Sequence, residues 1–89
     1  MKGDVEKLLL DNGYDGVKYL TGDSYDSAVL GVTTDNQVVY DYEKMIAWLM
    51  EHDGMDRESA AEWIDYNTIR ALPYMAPGEP IVMYPLVEM

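Results

Sequence analysis

The chain has 89 residues, 48% of them apolar, and carries 17 Asp and Glu against 6 Lys and Arg, a net charge of −11. That length fits one domain spanning residues 1–89, and that apolar fraction supports one core and excludes intrinsic disorder. The charge argues against direct binding to nucleic acid or an anionic membrane and suits a protein partner with a basic surface. Cysteine is absent, which excludes disulfides, thiol catalysis and zinc–thiolate sites.

The core palette is unusual: no Phe, but eight Tyr, seven Met and two Trp. Buried Tyr and Trp need partners for their polar ends, and Met packs adaptably. No apolar run approaches the roughly 20 residues that span a bilayer. Acids in Met1-Lys2-Gly3-Asp4-Val5-Glu6 stand where a signal peptide would be basic and then apolar, so the protein is expected in the cytoplasm. The charge is spread along the chain: −2 over residues 1–16, −2 over 17–40, −3 over 41–55, −2 over 56–72 and −2 over 73–89.

Asp4 can cap a first helix whose apolar positions are Val5, Leu8 and Leu9, with Leu10 at its edge; Asn12-Gly13 ends it. Val17 to Thr21 reads as a first strand, broken by Gly22-Asp23-Ser24. Ala28 to Thr33 and Gln37 to Tyr40 read as two more strands, and the short link at Asp35-Asn36 predicts a hairpin between them. Asp41 caps the next helix, on which Tyr42, Met45, Ile46, Leu49 and Met50 share one apolar face. Trp48 lies off that face, against a neighbouring element or partly exposed. Asp53-Gly54 ends the helix.

Asp56 caps a further helix to about residue 72. Its first half sets Ala60, Trp63 and Ile64 against Arg57, Glu58 and Glu62. In its second half Asn67 falls on the same stripe as Ile64, so the helix bends near Asp65-Tyr66 or is covered on both sides. Pro73 stops it. Ile81 to Tyr84 is a last strand, and prolines at both of its ends suit an edge position.

The order predicts an α+β domain: a small three- to four-stranded, mostly antiparallel sheet packed on one face by a helical hairpin plus an N-terminal helix. Tyr40, Ile46, Leu49, Ile64, Leu72, Val29, Val32 and Val82 are the expected core.

Chemistry-bearing patterns are sparse. Asp11, Gly13, Asp15 and Gly16 echo a calcium loop weakly, but Gly22 stands where a bidentate Glu belongs, so turn chemistry explains them better. Asp23, Ser24 and Asp26 read as a solvated acidic turn. His52, the one histidine, sits at a helix C-terminus, where the backbone dipole favours a cation. No nucleophile elbow or glycine-rich phosphate loop is present. Catalytic residues, metal ligands and cofactors are therefore expected to be none.

The densest segment runs from Trp63 to Tyr74. A buried Asn67 would need hydrogen-bond partners, and Arg70 would pair with a carboxylate. Alternatively Tyr66, Asn67, Arg70 and Tyr74, with Trp48, line a recognition surface, since Tyr, Trp and Arg are favoured at interface hot spots. The block Glu62-Trp63-Ile64-Asp65-Tyr66-Asn67-Thr68-Ile69-Arg70-Ala71-Leu72-Pro73-Tyr74, followed by Pro80-Ile81-Val82, resembles small acidic proteins of bacterial and phage or prophage genomes. The similarity covers roughly residues 40–84. It implies a genomic setting in which small acidic inhibitors of host nucleic-acid enzymes occur, some resembling DNA in charge.

Two functions follow as expectations. One is a non-enzymatic acidic protein-binding module, a phage-type inhibitor or modulator of a host nucleic-acid-binding protein. The other is a small structural protein that self-associates through the edge strand at 81–84 or through exposed Trp48, with its oligomeric state left open by the sequence.

Overall fold

The sheet is built outward from its central strand β2 (Val38–Asp41), with β1 (Val29–Val32) on one side and β3 (Ile81–Met83) on the other. The computed structural model describes residues 4–20 and 25–86. The helices are α1 (Asp4–Asp11), α2 (Tyr42–His52) and α3 (Arg57–Asn67), with 3-10 helices at Asp26–Ala28 and Ile69–Met75. The fold is α+β, as the sequence predicts.

β1 and β2 form the expected antiparallel hairpin, with Val29 opposite Tyr40, Gly31 opposite Val39 and Val32 opposite Val38, and with a bulge at Leu30. The link is longer than the two residues expected. Asn36 N–H donates to the Thr33 carbonyl at 2.9 Å, Thr33 N–H donates to the Gln37 carbonyl at 2.9 Å, and Asn36 takes a φ of 62°. This is a tight turn followed by a left-handed residue, and Asn tolerates that conformation better than most side chains. Thr33 Oγ1 completes it by accepting from Asp35 N–H at 3.2 Å and Gln37 N–H at 3.1 Å.

β2 and β3 pair in parallel, Val39 with Ile81 and Asp41 with Met83, so the sheet is mixed. Parallel neighbours need a long crossover, and residues 42–80 supply it through α2, α3 and the second 3-10 helix.

Asp41 ends β2 and caps α2, as the sequence predicts. It is only 8% exposed, and its Oδ1 accepts from Glu43 N–H at 2.9 Å and Lys44 N–H at 3.2 Å. Asp56 caps α3 by accepting from Ser59 N–H at 2.8 Å. Gly13, at a φ of 84°, closes α1: its N–H donates to the Leu10 carbonyl and Tyr14 N–H to the Leu9 carbonyl, the paired bonds of a Schellman motif. The cap expected at Asp4 lies outside the described side chains, and Asp23 and Ser24 of the expected acidic turn lie outside the described residues; Asp26, the third, is half-buried in its 3-10 helix, not solvated as expected.

Val17 to Leu20 is not a strand, and Thr21 lies outside the described residues. Its groups find other partners: Leu20 N–H donates to Tyr40 Oη at 3.0 Å, and Lys18 Nζ donates to the carbonyls of Met75 and Pro77. Side-chain anchors hold this segment where a ladder was expected.

One core joins Val5 and Leu9 of α1, Tyr25, Ala28, Val38 and Tyr40, the α2 residues Tyr42, Met45, Ile46 and Leu49, and Ala60 and Ile64 of α3. Of the expected core, Tyr40, Ile46, Leu49 and Ile64 are buried, while Val29, Val32, Leu72 and Val82 are half-buried. Leu8, Met50 and Trp63, expected on apolar faces, are exposed, as is Leu10 at the edge of α1. An eight-residue α1 turns only one narrow stripe inward, and Met50 lies in the last turn of α2. No described helix is long and apolar enough to cross a membrane.

Replacing Asp41 by Ala leaves two N–H donors without their acceptor in a dry site. It is expected to cost about 1–2 kcal/mol, read in urea as a lower midpoint at unchanged slope.

Burial pushes the Tyr40 phenol up to about 12. Its contribution to stability is complete below the unfolded value of about 10 and is lost as pH rises through the folded one. Stability measured across that window should fall. Tyr40→Phe should lessen the fall while costing about 1 kcal/mol at neutral pH through the lost bond to Leu20.

Candidate functional site

α3 sets its surface by its own periodicity. Ala60 and Ile64, four residues apart, face the core. That rotation turns Glu58, Glu62 and Asp65, spaced by four and three, into one exposed stripe. Ser59, Trp63 and Tyr66 form the stripe beside it, with Trp63 39% exposed and Tyr66 more so. Carboxylates and aromatic faces therefore lie side by side on one helix.

The helix stops at Asn67, short of its expected end near residue 72. Thr68 is buried and donates its N–H to the Ile64 carbonyl at 2.9 Å, after which the chain tightens into Ile69–Met75 with Pro73 inside. Pro73 does not end the element as expected. A proline lacks a donor, and here its carbonyl accepts from Ala76 N–H at 3.3 Å.

Asn67, the last residue of α3, falls on the stripe of Ala60 and Ile64 as read from the sequence; it is exposed, and its Nδ2 donates back to the Trp63 carbonyl at 3.2 Å. The amide is satisfied within its own last turn. Arg70 was expected against a carboxylate, but its guanidinium lies 4.2 Å from the centre of the Tyr66 ring, a cation–π contact. Tyr74 is 91% exposed. Tyr66 and Arg70 are thus brought into contact, with Asn67 on the adjoining turn and Tyr74 further along the 3-10 helix.

Trp48 belongs to a different cluster. It is half-buried, meeting Tyr25 edge-on at 5.5 Å and stacking on His52 at 4.7 Å. His52 Nδ1 stands 3.1 Å from the Trp48 carbonyl, an oxygen it can meet only as a donor. The ring closes the exposed C-terminus of α2, the helix-end role expected of it.

Around the α3 face the two helices are tied together. Arg57 forms a fork-like pair with Glu43, Nη1 to Oε1 at 2.8 Å and Nη2 to Oε2 at 2.7 Å. Tyr42, buried beneath, has its phenol pushed up first by burial and then by the charge of Asp65. Tyr84 leans on it at 4.7 Å, bringing the chain after β3 against the helical pair.

From Asp41 to Asn67 the chain has eight acids and two bases. All the acids except Asp41 are exposed. Seven exposed acids thus stand on α2, α3 and their link. Among the described residues no three His, Asp or Glu side chains come together as metal ligands would.

Comparison of the chain with family models, curated proteins and solved structures found no match.

The Arg57 bond holds the Glu43 carboxyl below the usual range, and the Ser59 backbone N–H does the same for Asp56. A depressed folded value means these contributions are complete above about pH 4.5 and are lost as pH falls through it. The thermal midpoint should therefore drop between about pH 5 and pH 3. The Glu43→Gln/Asp56→Asn double variant should show a shallower drop in the same scans.

Proposed function

We propose that this chain is a non-enzymatic, acidic protein-binding module that presents the outer face of α3 to a basic surface on a cytoplasmic partner. The reading extends to a phage-type inhibitor or modulator of a host nucleic-acid-binding protein. The observation that carries it is the stripe of Glu58, Glu62 and Asp65 alongside Trp63 and Tyr66.

Like charges at these spacings weaken a helix, so the stripe costs α3 some stability, offset in part at Glu58, which lies in the first turn. Carboxylates next to aromatic faces are suited to Lys and Arg, which can be met by charge and by π-face together. The contact of Arg70 with Tyr66 is the intramolecular form of that recognition. Tyr66, Arg70 and Tyr74 would then supply the hot spots, Asn67 would hold the end of the helix, and Trp48 would act only as support for α2.

The alternative of self-assembly through the 81–84 edge has an open sheet edge in its favour. That strand is only Ile81–Met83, with Pro80 immediately before it and Pro85 two residues after it, and prolines blunt edge pairing.

The test is capture of partners from lysate by the native protein and by the Glu58→Lys/Glu62→Lys/Asp65→Lys variant, at low and high salt. A basic protein retained by the native chain at low salt, lost at high salt and lost to the variant is the expected result. The variant carries like charges at the same spacings, so its thermal midpoint is measured beside the native chain's to show that it is folded. Retention of the same partner by the variant at either salt would sink the proposal.

A further inference from the structure

A second surface, away from α3, has the features of a strand-binding groove. It lies between α1 and β1 and encloses about 310 Å³. One wall is the α1 stripe of Val5, Leu8 and Leu9; the other is β1 along its whole length, Val29 to Val32. Successive strand residues point to opposite faces. The bulge at Leu30 breaks that alternation once, and four in a row lining one groove still places it along the rim of the strand.

That rim is an open ladder. Thr33 N–H donates to the Gln37 carbonyl, so the alternation of an antiparallel pair makes Gly31–Val39 the next bonded pair. Val32, between them, turns its N–H and C=O away from β2. No described residue outside the sheet bonds to the Val32 backbone. Leu8 is 55% exposed and Leu30 49% exposed, so apolar surface flanks unpaired backbone on both sides of the groove. The opposite sheet edge is blunted by Pro80 and Pro85, whereas β1 holds no proline and its one irregularity, the bulge at Leu30, lies before Val32.

The surrounding charge points to the occupant. No charged residue lines the groove. The acids next along the chain from its lining residues are exposed: Asp11 beside Asn12, Asp15 beside Tyr14, Asp35 in the turn after β1, and Glu6, which Tyr19 bonds, beside Val5. Lys18 is engaged by the carbonyls of Met75 and Pro77, which leaves Lys7 as the local cation free of those bonds.

We propose that this groove takes an extended segment of a partner protein, apolar at alternate positions and carrying Lys or Arg between them, as an added strand on β1. Main-chain bonds to the β1 rim would fix its register, and side chains seated between Leu8 and Leu30 would set its specificity. A second copy of this chain fits less well, because docking two molecules of charge −11 brings their acids together. A small apolar ligand would leave the Val32 donor and acceptor unmet. The site stands independently of the α3 face.

The test uses a short synthetic peptide alternating Lys and Val, and the same peptide N-methylated at alternate amides, titrated while backbone amide shifts are followed. Saturable shifts centred on Val29 to Val32 and α1 are expected, with the methylated peptide at least about tenfold weaker. Leu30→Glu and, from the other wall, Leu8→Glu separate seating from adsorption. Each adds an acid on an exposed position, so adsorption by charge alone would tighten, whereas a seated strand weakens about tenfold.

Equal or tighter binding to either variant, equal binding of the methylated peptide, or no shift up to about 1 mM peptide overturns the proposal. So does a concentration-dependent dimer that Leu30→Glu dissolves while the peptide shifts nothing, which assigns the groove to a second copy. The triple Lys variant of α3 should keep the peptide's shifts on β1, so failure of one surface leaves the other standing.

Discussion

The structure depends on a buried carboxylate at the end of its central strand. A carboxylate placed in a dry site is costly unless its oxygens are met, and Asp41 is met by the first free N–H groups of α2. Because it is both the last residue of β2 and the partner of Met83, it fixes where the sheet ends and in which direction the crossover leaves. Its neighbour Tyr40 points into the core, and its hydroxyl accepts the Leu20 N–H. Two adjacent side chains thus join three layers: the covering segment before residue 21, the sheet, and the helical pair. The use of Tyr in place of Phe matters here, since a Phe at 40 would fill the space but could not hold the covering segment.

Much of this was legible because local chemistry and tertiary demand agree. Asp41 and Asp56 read as caps from their place before apolar periodic runs, and both cap. Two β-branched runs around Asp35-Asn36 read as a hairpin, and the pair forms. What was not legible depends on distant partners. Val17 to Leu20 has strand composition, but Tyr40 and the 75–77 carbonyls claim its donors, and those lie far along the chain. The parallel pairing of β3 required knowing that two helices return the chain to the same end of the sheet. Asn67 keeps its place on the α3 wheel, but whether that end of the stripe is covered depends on packing that a wheel does not contain.

The candidate surface shows the same division. The residues Tyr66, Asn67, Arg70 and Tyr74 were found by their types, and the fold places them on or just beyond the end of one helix. That Glu58, Glu62 and Asp65 share one stripe follows from their spacing, but that the stripe is exposed depends on Ala60 and Ile64 packing inward. The groove beside β1 escaped notice for a related reason. Leu8 and Leu30 sit in ordinary apolar patterns, and only the three-dimensional arrangement leaves them uncovered.

The parallel ladder between β2 and β3 has a kinetic consequence. β1 and β2 meet across a few turn residues, so their pairing closes a small loop and can form early. β3 meets β2 only after residues 42–80 are gathered in, and the entropy of closing a loop grows with its length. Until α2 and α3 pack, β2 is bare along one side and the nascent hairpin exposes two edges. The helical pair therefore acts as a timing element as well as a cover. The chain's strong negative charge works in the same interval, keeping half-formed sheets on neighbouring chains apart while the last strand finds its place.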